Sequence, residues 1–367
     1  MTILHVANGR LFGGIERMLT TLAECGGPAF EFVVATEGRL VSELRERQAR
    51  VHFFGDVRLS HPSSVLRARH HFRTLLRRHP YQAVICHAPW SHAMFAGVAR
   101  SSGVSTLLWQ HDRATGGSLV ERACRAAGAD LVICNSMWTA NSARFLQPDV
   151  PHRVIHCPVP IPRGNGEARS HIRAELGAHG GQVVVLSASR LEPWKGHIDL
   201  VRALADLKAL PWVLWVAGGA ERSHERTHAA ALVGEIQTLG LESRVKLLGE
   251  RRDVQQLLRG ADVLAQANTE PEPFGIIFAE ALRAGVPVVT SNMGGAREIV
   301  DVSCGRLVEP HNRAALVSAL HTIISDRTLR ETLAAAGPAK AAAICDPATV
   351  LRQLREAVSS IGVPTAA

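Results

Sequence analysis

What most restricts the fold of this chain is the regular turn-taking of its apolar runs. Strand-like ILHVA is followed by a helical pattern over about 15–25, then FEFVVAT, a helix over about 41–48, VHFFG, a helix over about 64–78, and AVICHA. Further strand-like runs stand at STLLWQH, DLVICNS and RVIH. Strands separated by helix-length crossovers pair in parallel, and such a sheet must be covered on both faces. The stretch CPVPIPRGNG, rich in proline and glycine, reads as a linker, and beyond it the alternation starts again. The second series runs VVVLSASR, a helix over about 198–207, WVLWVAGG, a helix over about 229–239, VKLLGE, a short helix over about 254–258, and ADVLAQAN. The expected fold class is therefore α/β, with two doubly wound domains facing a central cleft.

Length and composition agree with this. A chain of 367 residues, 46% hydrophobic and 20% charged, has enough apolar surface for two cores. No run of about 18 apolar residues occurs, and the start MTILHVANGR reads as a strand and not as a signal peptide, so a cytoplasmic location is expected. The seven cysteines are odd in number and include no C-x-x-C, which reads as reduced core thiols and neither a disulfide framework nor a zinc site. The net charge of +8 is one-sided: residues 1–165 carry 19 Arg, no Lys and 11 acidic residues, and the rest is balanced. Such a basic half suggests an anionic partner, whether a membrane surface, a phosphorylated lipid or a nucleic acid.

The most informative stretch is 270–290, EPEPFGIIFAEALRAGVPVVT. Pro271 and Pro273 keep helix from starting before Phe274, and Gly285 ends it, so Glu272 falls in a turn and Glu280 on a helix. Glu280 shares a helical face with Ile276, Ile277 and Ala284, where a carboxylate without a polar partner would cost several kcal/mol. The amides of Phe274, Gly275 and Ile276 open the same helix, and its positive end suits an anion or a row of hydroxyls. A plainer reading pairs Glu280 with Arg283 at i, i+3 and leaves Glu272 solvated.

Other strand-to-helix loops carry candidate groups. Asn8 to Arg17 joins the first strand to the first helix through Gly13 and Gly14, which admit close approach of a ligand; a plain tight turn explains them too. The dinucleotide fingerprint G-x-G-x-x-G is absent there. In the second half, SRLEPWKGH sets Arg190 and Lys195 in a glycine-flanked loop at a helix start, a pair suited to a diphosphate in a chain with only four lysines. His111 and His87 each end a strand, and Arg251 follows another. Asn135 with Ser136 reads equally as a helix cap.

Taken together, E-P-F-G-I-I-F-A-E with ALRAGVPVV and GGAREIV behind it resembles the E-x7-E signature of the family 4 glycosyltransferases, retaining enzymes of the GT-B fold. GGIER, the R-x4-K-G pair and GGARE resemble further elements of that family, and the likeness covers nearly the whole chain. IHCPVP departs from the asparagine-glycine turn often found at its place, and the acceptor-side loops match no pattern.

The resemblance implies two Rossmann-like domains: 1–160 on the acceptor side, 161–345 binding a nucleotide sugar, and a C-terminal helix in 346–367 returning to the first. It implies that Arg190 and Lys195 hold the pyrophosphate leaving group, that Glu272 meets a sugar hydroxyl, and that His111 lies beside the donor sugar. Gly13, Gly14, Glu280, Phe274, Gly275, Ile276 and Arg251 would serve the donor, and Glu16 and His87 the acceptor. The reaction implied is transfer of a hexose from a UDP- or GDP-sugar to a hydroxyl of a glycan, lipid-linked or small-molecule acceptor, with retention, in cell-surface polysaccharide or glycoconjugate synthesis. No D-x-D occurs, so no metal is expected and no cofactor is implied.

The rivals are a nucleotide-sugar epimerase on the same fold, a two-carboxylate glycosidase, and a basic nucleic-acid-binding module. A glycosidase needs no cationic phosphate pocket, and aromatics at 5% argue against nucleic acid. In 64–79, Val65, Phe72, Leu75 and Leu76 share one helical face and Arg67, Arg73, Arg77 and Arg78 another. This pattern fits peripheral contact with an anionic inner membrane face, or an ordinary sheet-covering helix.

Overall fold

The computed structural model describes residues 2–58, 60–162 and 167–361. Two compact units result: residues up to Val159 together with those from Cys345 onward, and Pro160–Ile344. Of the expected linker, 163–166 lie outside the described residues.

In the first unit the strands are β1 (Ile3–Ala7), β2 (Phe30–Val34), β3 (Arg50–Phe53), β4 (Ala83–His87), β5 (Ser105–Gln110), β6 (Leu131–Cys134) and β7 (His152–Val154). Between them run α1 (Gly14–Gly26), α2 (Arg39–Glu46), α3 (Pro62–Arg78), α4 (Pro89–Ser101), α5 (Leu119–Ala127) and α6 (Met137–Ala143). All seven strands are parallel, in the order β3-β2-β1-β4-β5-β6-β7. Strands such as β1 and β4 are buried at every position because helices cover both faces. On one face Leu4, Val6 and Val84 pack with Phe72 and Leu75 of α3 and Phe95 of α4.

The second unit repeats the plan with β8 (Val183–Ala188), β9 (Trp212–Ala217), β10 (Val245–Gly249), β11 (Val263–Gln266), β12 (Val288–Ser291) and β13 (Gly305–Val308). Its helices are α7 (Glu167–Glu175), α8 (His197–Ala205), α9 (Ser223–Thr238), α10 (Val254–Gly260), α11 (Ile276–Arg283), α12 (Ala296–Ile299), α13 (Arg313–Ser325) and α14 (Arg327–Cys345). The order is β10-β9-β8-β11-β12-β13, again parallel. The last helix, α15 (Pro347–Ser359), belongs to the first unit, where it packs on α1. Two doubly wound, Rossmann-like units are thus established.

Each sheet has one switch point, between β1 and β4 and between β8 and β11, where consecutive crossovers diverge and loops at the carboxyl ends leave a crevice. On α3, Ala68, Phe72, Leu75 and Leu76 are core, whereas Arg67, Arg73, Arg77 and Arg78 are exposed. The apolar stripe is therefore occupied by the core, and the outward side carries the arginines together with His70, His71 and a single exposed leucine, Leu66. Among the described residues no helix is long and apolar enough to cross a membrane.

Candidate active site

At the switch point of the second unit, the loop after β8 meets the loop after β11. A carbonyl at Trp194 accepts the Thr269 amide at 2.8 Å and stitches the two together. Gly196 has φ +71°, and a Cβ there would lie 1.7 Å from the Ala267 carbonyl oxygen, so only glycine permits this approach. Lys195 is thereby carried to Glu272: Nζ donates to Oε2 at 2.5 Å, with side chains 12% and 15% exposed. The Asn268 amide nitrogen donates to the same oxygen at 3.2 Å, and the Lys195 ammonium sits 3.8 Å from the centre of the Trp194 ring.

The peptide of Glu272 is fixed from a third loop, the one after β12. Gly295 N–H donates to the Glu272 carbonyl at 2.8 Å. A Cβ on Gly294, where φ is +64°, would stand 2.2 Å from that same oxygen. The turn then enters α11 through Phe274 and Gly275, both buried, with Ile276 as its first residue and Glu280 only 5% exposed.

Arg190 takes a different set of partners. Its Nη1 lies 2.7 Å from Glu192 Oε1 and 3.0 Å from Glu225 Oε1. Burial works against the Glu225 carboxylate, but the amides of Arg222 and Glu221, with the charges of Arg190 and Arg222, hold its pKa below the usual range. Trp194 Nε1 donates to Glu192 Oε2 at 2.6 Å, which links the Arg190 cluster to the Lys195 side. Glu192, His224 and Glu225 place three ligand-type atoms within 4.8 Å of one another, but both carboxylates are already matched by Arg190. Arg251, after β10, belongs to another cluster: two bonds of 2.7 Å tie it to Asp253, and Glu175 lies at 3.4 Å.

In the first unit the loop after β1 leads through Gly13 into α1, where the Gly13 amide donates to Glu16 Oε2 at 2.9 Å. Glu16, expected toward the acceptor, thus caps its own helix. His87, expected on that side as well, lies inside the first unit. It is 3% exposed, and its two ring nitrogens lie 3.0 Å from His5 Nδ1 and from His111 Nε2. Both ring nitrogens of His87 are engaged within this line, which connects His5 in β1 to His111 just past the carboxyl end of β5. Burial lowers the pKa of His5 and His111 to about 3 and that of His87 well below its ordinary value, so all three rings are neutral near pH 7. Asn135 Nδ2 donates to the His111 carbonyl at 3.2 Å, and Ser136 caps α6.

Three participants escape motif reading. His5 stands inside a strand run, Asn268 follows a strand without a pattern of its own, and Glu225 lies 35 positions from its partner Arg190.

Residues 12–163 match the family described as Glycosyltransferase Family 4, and residues 168–340 match that described as Glycosyl transferases group 1. The chain belongs to the family 4 glycosyltransferases. Among relatives of this family 4 chain, the D-inositol 3-phosphate glycosyltransferase of Nocardia farcinica is 34% identical over 168 residues. That match covers 43% of this chain and 36% of the relative, so the chain spans about a third of that protein's length. The GDP-mannose-dependent monoacylated alpha-(1-6)-phosphatidylinositol monomannoside mannosyltransferase of Corynebacterium glutamicum is 28% identical, covering 67% of this chain and 68% of the relative. Among solved structures, Anabaena Alr3699/HepE in complex with UDP-glucose superposes with a TM-score of 0.87 at 27% identity, over 98% of this chain and all of that one. The GT-B fold follows.

Proposed function

We propose that this family 4 chain is a retaining, metal-independent hexosyltransferase. It moves a hexose from a UDP- or GDP-sugar to a hydroxyl of a glycan, lipid-linked or small-molecule acceptor, in cell-surface polysaccharide or glycoconjugate synthesis. The observation that carries this reading is the meeting of Lys195 and Glu272 at 2.5 Å at the β8/β11 switch point, beside the start of α11.

Transfer requires a diphosphate to be neutralised as it leaves and the cation-like sugar to be held against the acceptor. A diphosphate arriving at Lys195 competes with Glu272 for the ammonium, and the released carboxylate is then an acceptor for a sugar hydroxyl. Arg190, its side chain one-third exposed, supplies the second cation, and the amides opening α11 supply further donors. Glu280 accepts the ribose hydroxyls, Arg251, Gly13 and Gly14 serve the donor, and His111 serves its sugar. The bond from the anomeric carbon to the phosphate oxygen breaks while the bond to the acceptor oxygen forms on the same face; the acceptor's proton passes to the departing phosphate oxygen. A relative named as GDP-mannose-dependent and a solved neighbour in complex with UDP-glucose support both nucleotide classes. A peripheral contact with anionic lipid on the inner membrane face, if made through 64–79, rests on arginine charge alone.

Proton NMR of the product's anomeric signal tests the reading. The donor's configuration should be kept, and activity should persist in EDTA. An inverted product, or activity lost to EDTA and restored by magnesium or manganese, would contradict it.

A further inference from the structure

His5, His87 and His111 form a continuous line of ring contacts and hydrogen bonds across β1, β4 and the end of β5. His5 Nδ1 lies 3.0 Å from His87 Nε2, and His87 Nδ1 lies 3.0 Å from His111 Nε2. His5 packs against Phe30 and Phe32, with ring centroids at 4.8 and 5.4 Å, and its Nε2 is buried without a hydrogen-bond partner. His87 stacks on both Trp109 and His111. Such packing fixes the rings and leaves their protons as the one variable.

A neutral imidazole carries a single N–H, so each hydrogen bond in the line is donated in one of two directions, and the two directions are linked. If His111 donates to His87, then His87 donates to His5, and the proton of His5 is driven to Nε2, a buried N–H with no acceptor. Orphaned buried N–H groups are rarer and costlier than bare acceptors, because the donor loses its water and gains nothing. With the opposite direction, His5 Nδ1–H donates to His87 Nε2, His87 Nδ1–H donates to His111 Nε2, and only a lone pair is left at His5 Nε2. His111 then holds its proton on Nδ1, the nitrogen outside the line.

We infer that His5 and His87 are positioning residues that lock His111 in its Nδ1-protonated tautomer, so that it meets its ligand as a neutral hydrogen-bond donor to oxygen and not as a base. That this oxygen belongs to the donor sugar rests on the function proposed above; the tautomer does not. Burial of all three rings opposes a charged form, which keeps the line neutral.

The test is multiple-bond proton–nitrogen NMR on the full chain labelled with ¹⁵N-histidine at pH 7.5, with His111 assigned by the signals lost in His111→Gln. The expected result is a protonated Nδ1 and an unprotonated Nε2 for His111, His5 and His87. A His111 protonated on Nε2, or present as a mixture, overturns the inference. His5→Phe keeps a ring between Phe30 and Phe32 but removes the terminal donor, and should turn the single His111 tautomer into a mixture; His5→Asn, which restores an N–H near the Nδ1 position, should return it. An unchanged tautomer in a folded His5→Phe removes His5 from the role, and if that variant does not fold, the native measurement and His5→Asn still decide. Transfer unaffected by His111→Gln would remove the donor-sugar reading and leave the tautomer result standing.

Discussion

Lys195 and Glu272 are each little exposed, so neither is stable there as a lone charge, and each is the other's nearest counter-charge. Removing the cation leaves Glu272 with Asn268 and Gln266, which donate at 3.2 and 3.4 Å and keep the carboxylate hydrogen-bonded. We therefore expect Lys195→Ala to fold, and to lose about 100-fold or more in kcat for want of a cation on the leaving group. Unfolding in place of slow turnover, seen by circular dichroism, would make the lysine structural. Glu280→Gln should weaken nucleotide binding by about 1–3 kcal/mol, because an amide offers one acceptor where a carboxylate offers two; calorimetric titration with UDP and GDP measures it, and unchanged affinity would separate Glu280 from the ribose. At this scale the sequence was half legible. Scarcity of lysine and the E-x7-E spacing pointed to Lys195, Glu272 and Glu280, whereas Asn268, Glu225 and His5 are brought in by strand order, which spacing along the chain does not encode.

At the scale of elements, loops hold the site and glycines hold the loops. Gly294→Ala sets a methyl carbon at 2.2 Å from the Glu272 carbonyl and strains a left-handed φ, a cost of about 1–3 kcal/mol unless the turn moves. A lower melting temperature with a larger loss of transfer is expected; a variant with native activity would show that the turn after β12 does not set Glu272. Helix α3 was read correctly as amphipathic, with either a bilayer or the sheet as its cover, and the core takes its apolar face. Binding to phosphatidylglycerol vesicles should accordingly be weak, vanish at high salt, and fall when Arg73, Arg77 and Arg78 become Gln. Salt-resistant binding would mean insertion and contradict the buried face. Strands were the most legible elements, since a doubly covered sheet makes each one a continuous apolar run. Helix α4 was not foreseen, because Ser91, His92, Met94, Phe95, Ala96, Val98 and Ala99 are buried and blur any 3.6-residue stripe, and α14 runs through Pro338, ordinarily a breaker.

For the whole molecule, neutral buried histidines tie stability to pH. His5, His111 and His197 are lowered by burial to about 3 and His92 to about 4, from an unfolded value near 6.5. Below about 6.5 the unfolded chain binds protons that the folded chain refuses, so stability is complete above that pH and falls as pH drops toward 3–4. Each such histidine contributes roughly 1.4 kcal/mol per pH unit in that window. The denaturation midpoint should drop clearly between pH 7.5 and 5.5, and an equal midpoint would mean that these rings are not buried neutral. The two-unit α/β plan is legible from the alternation, which is a property of long stretches; the chemistry resides in a few contacts between loops, which no single stretch encodes. Binding of a nucleotide-diphosphate sugar without metal underlies every role proposed for this site, and ligand-induced thermal shift in EDTA measures it. A UDP- or GDP-hexose should raise the melting temperature, by mass action worth about 2.7 kcal/mol at a hundred times Kd, and Glu280→Gln and Lys195→Ala should blunt the rise. No shift with any UDP- or GDP-sugar at millimolar concentration, or a shift that appears only when a divalent metal is added, would contradict it.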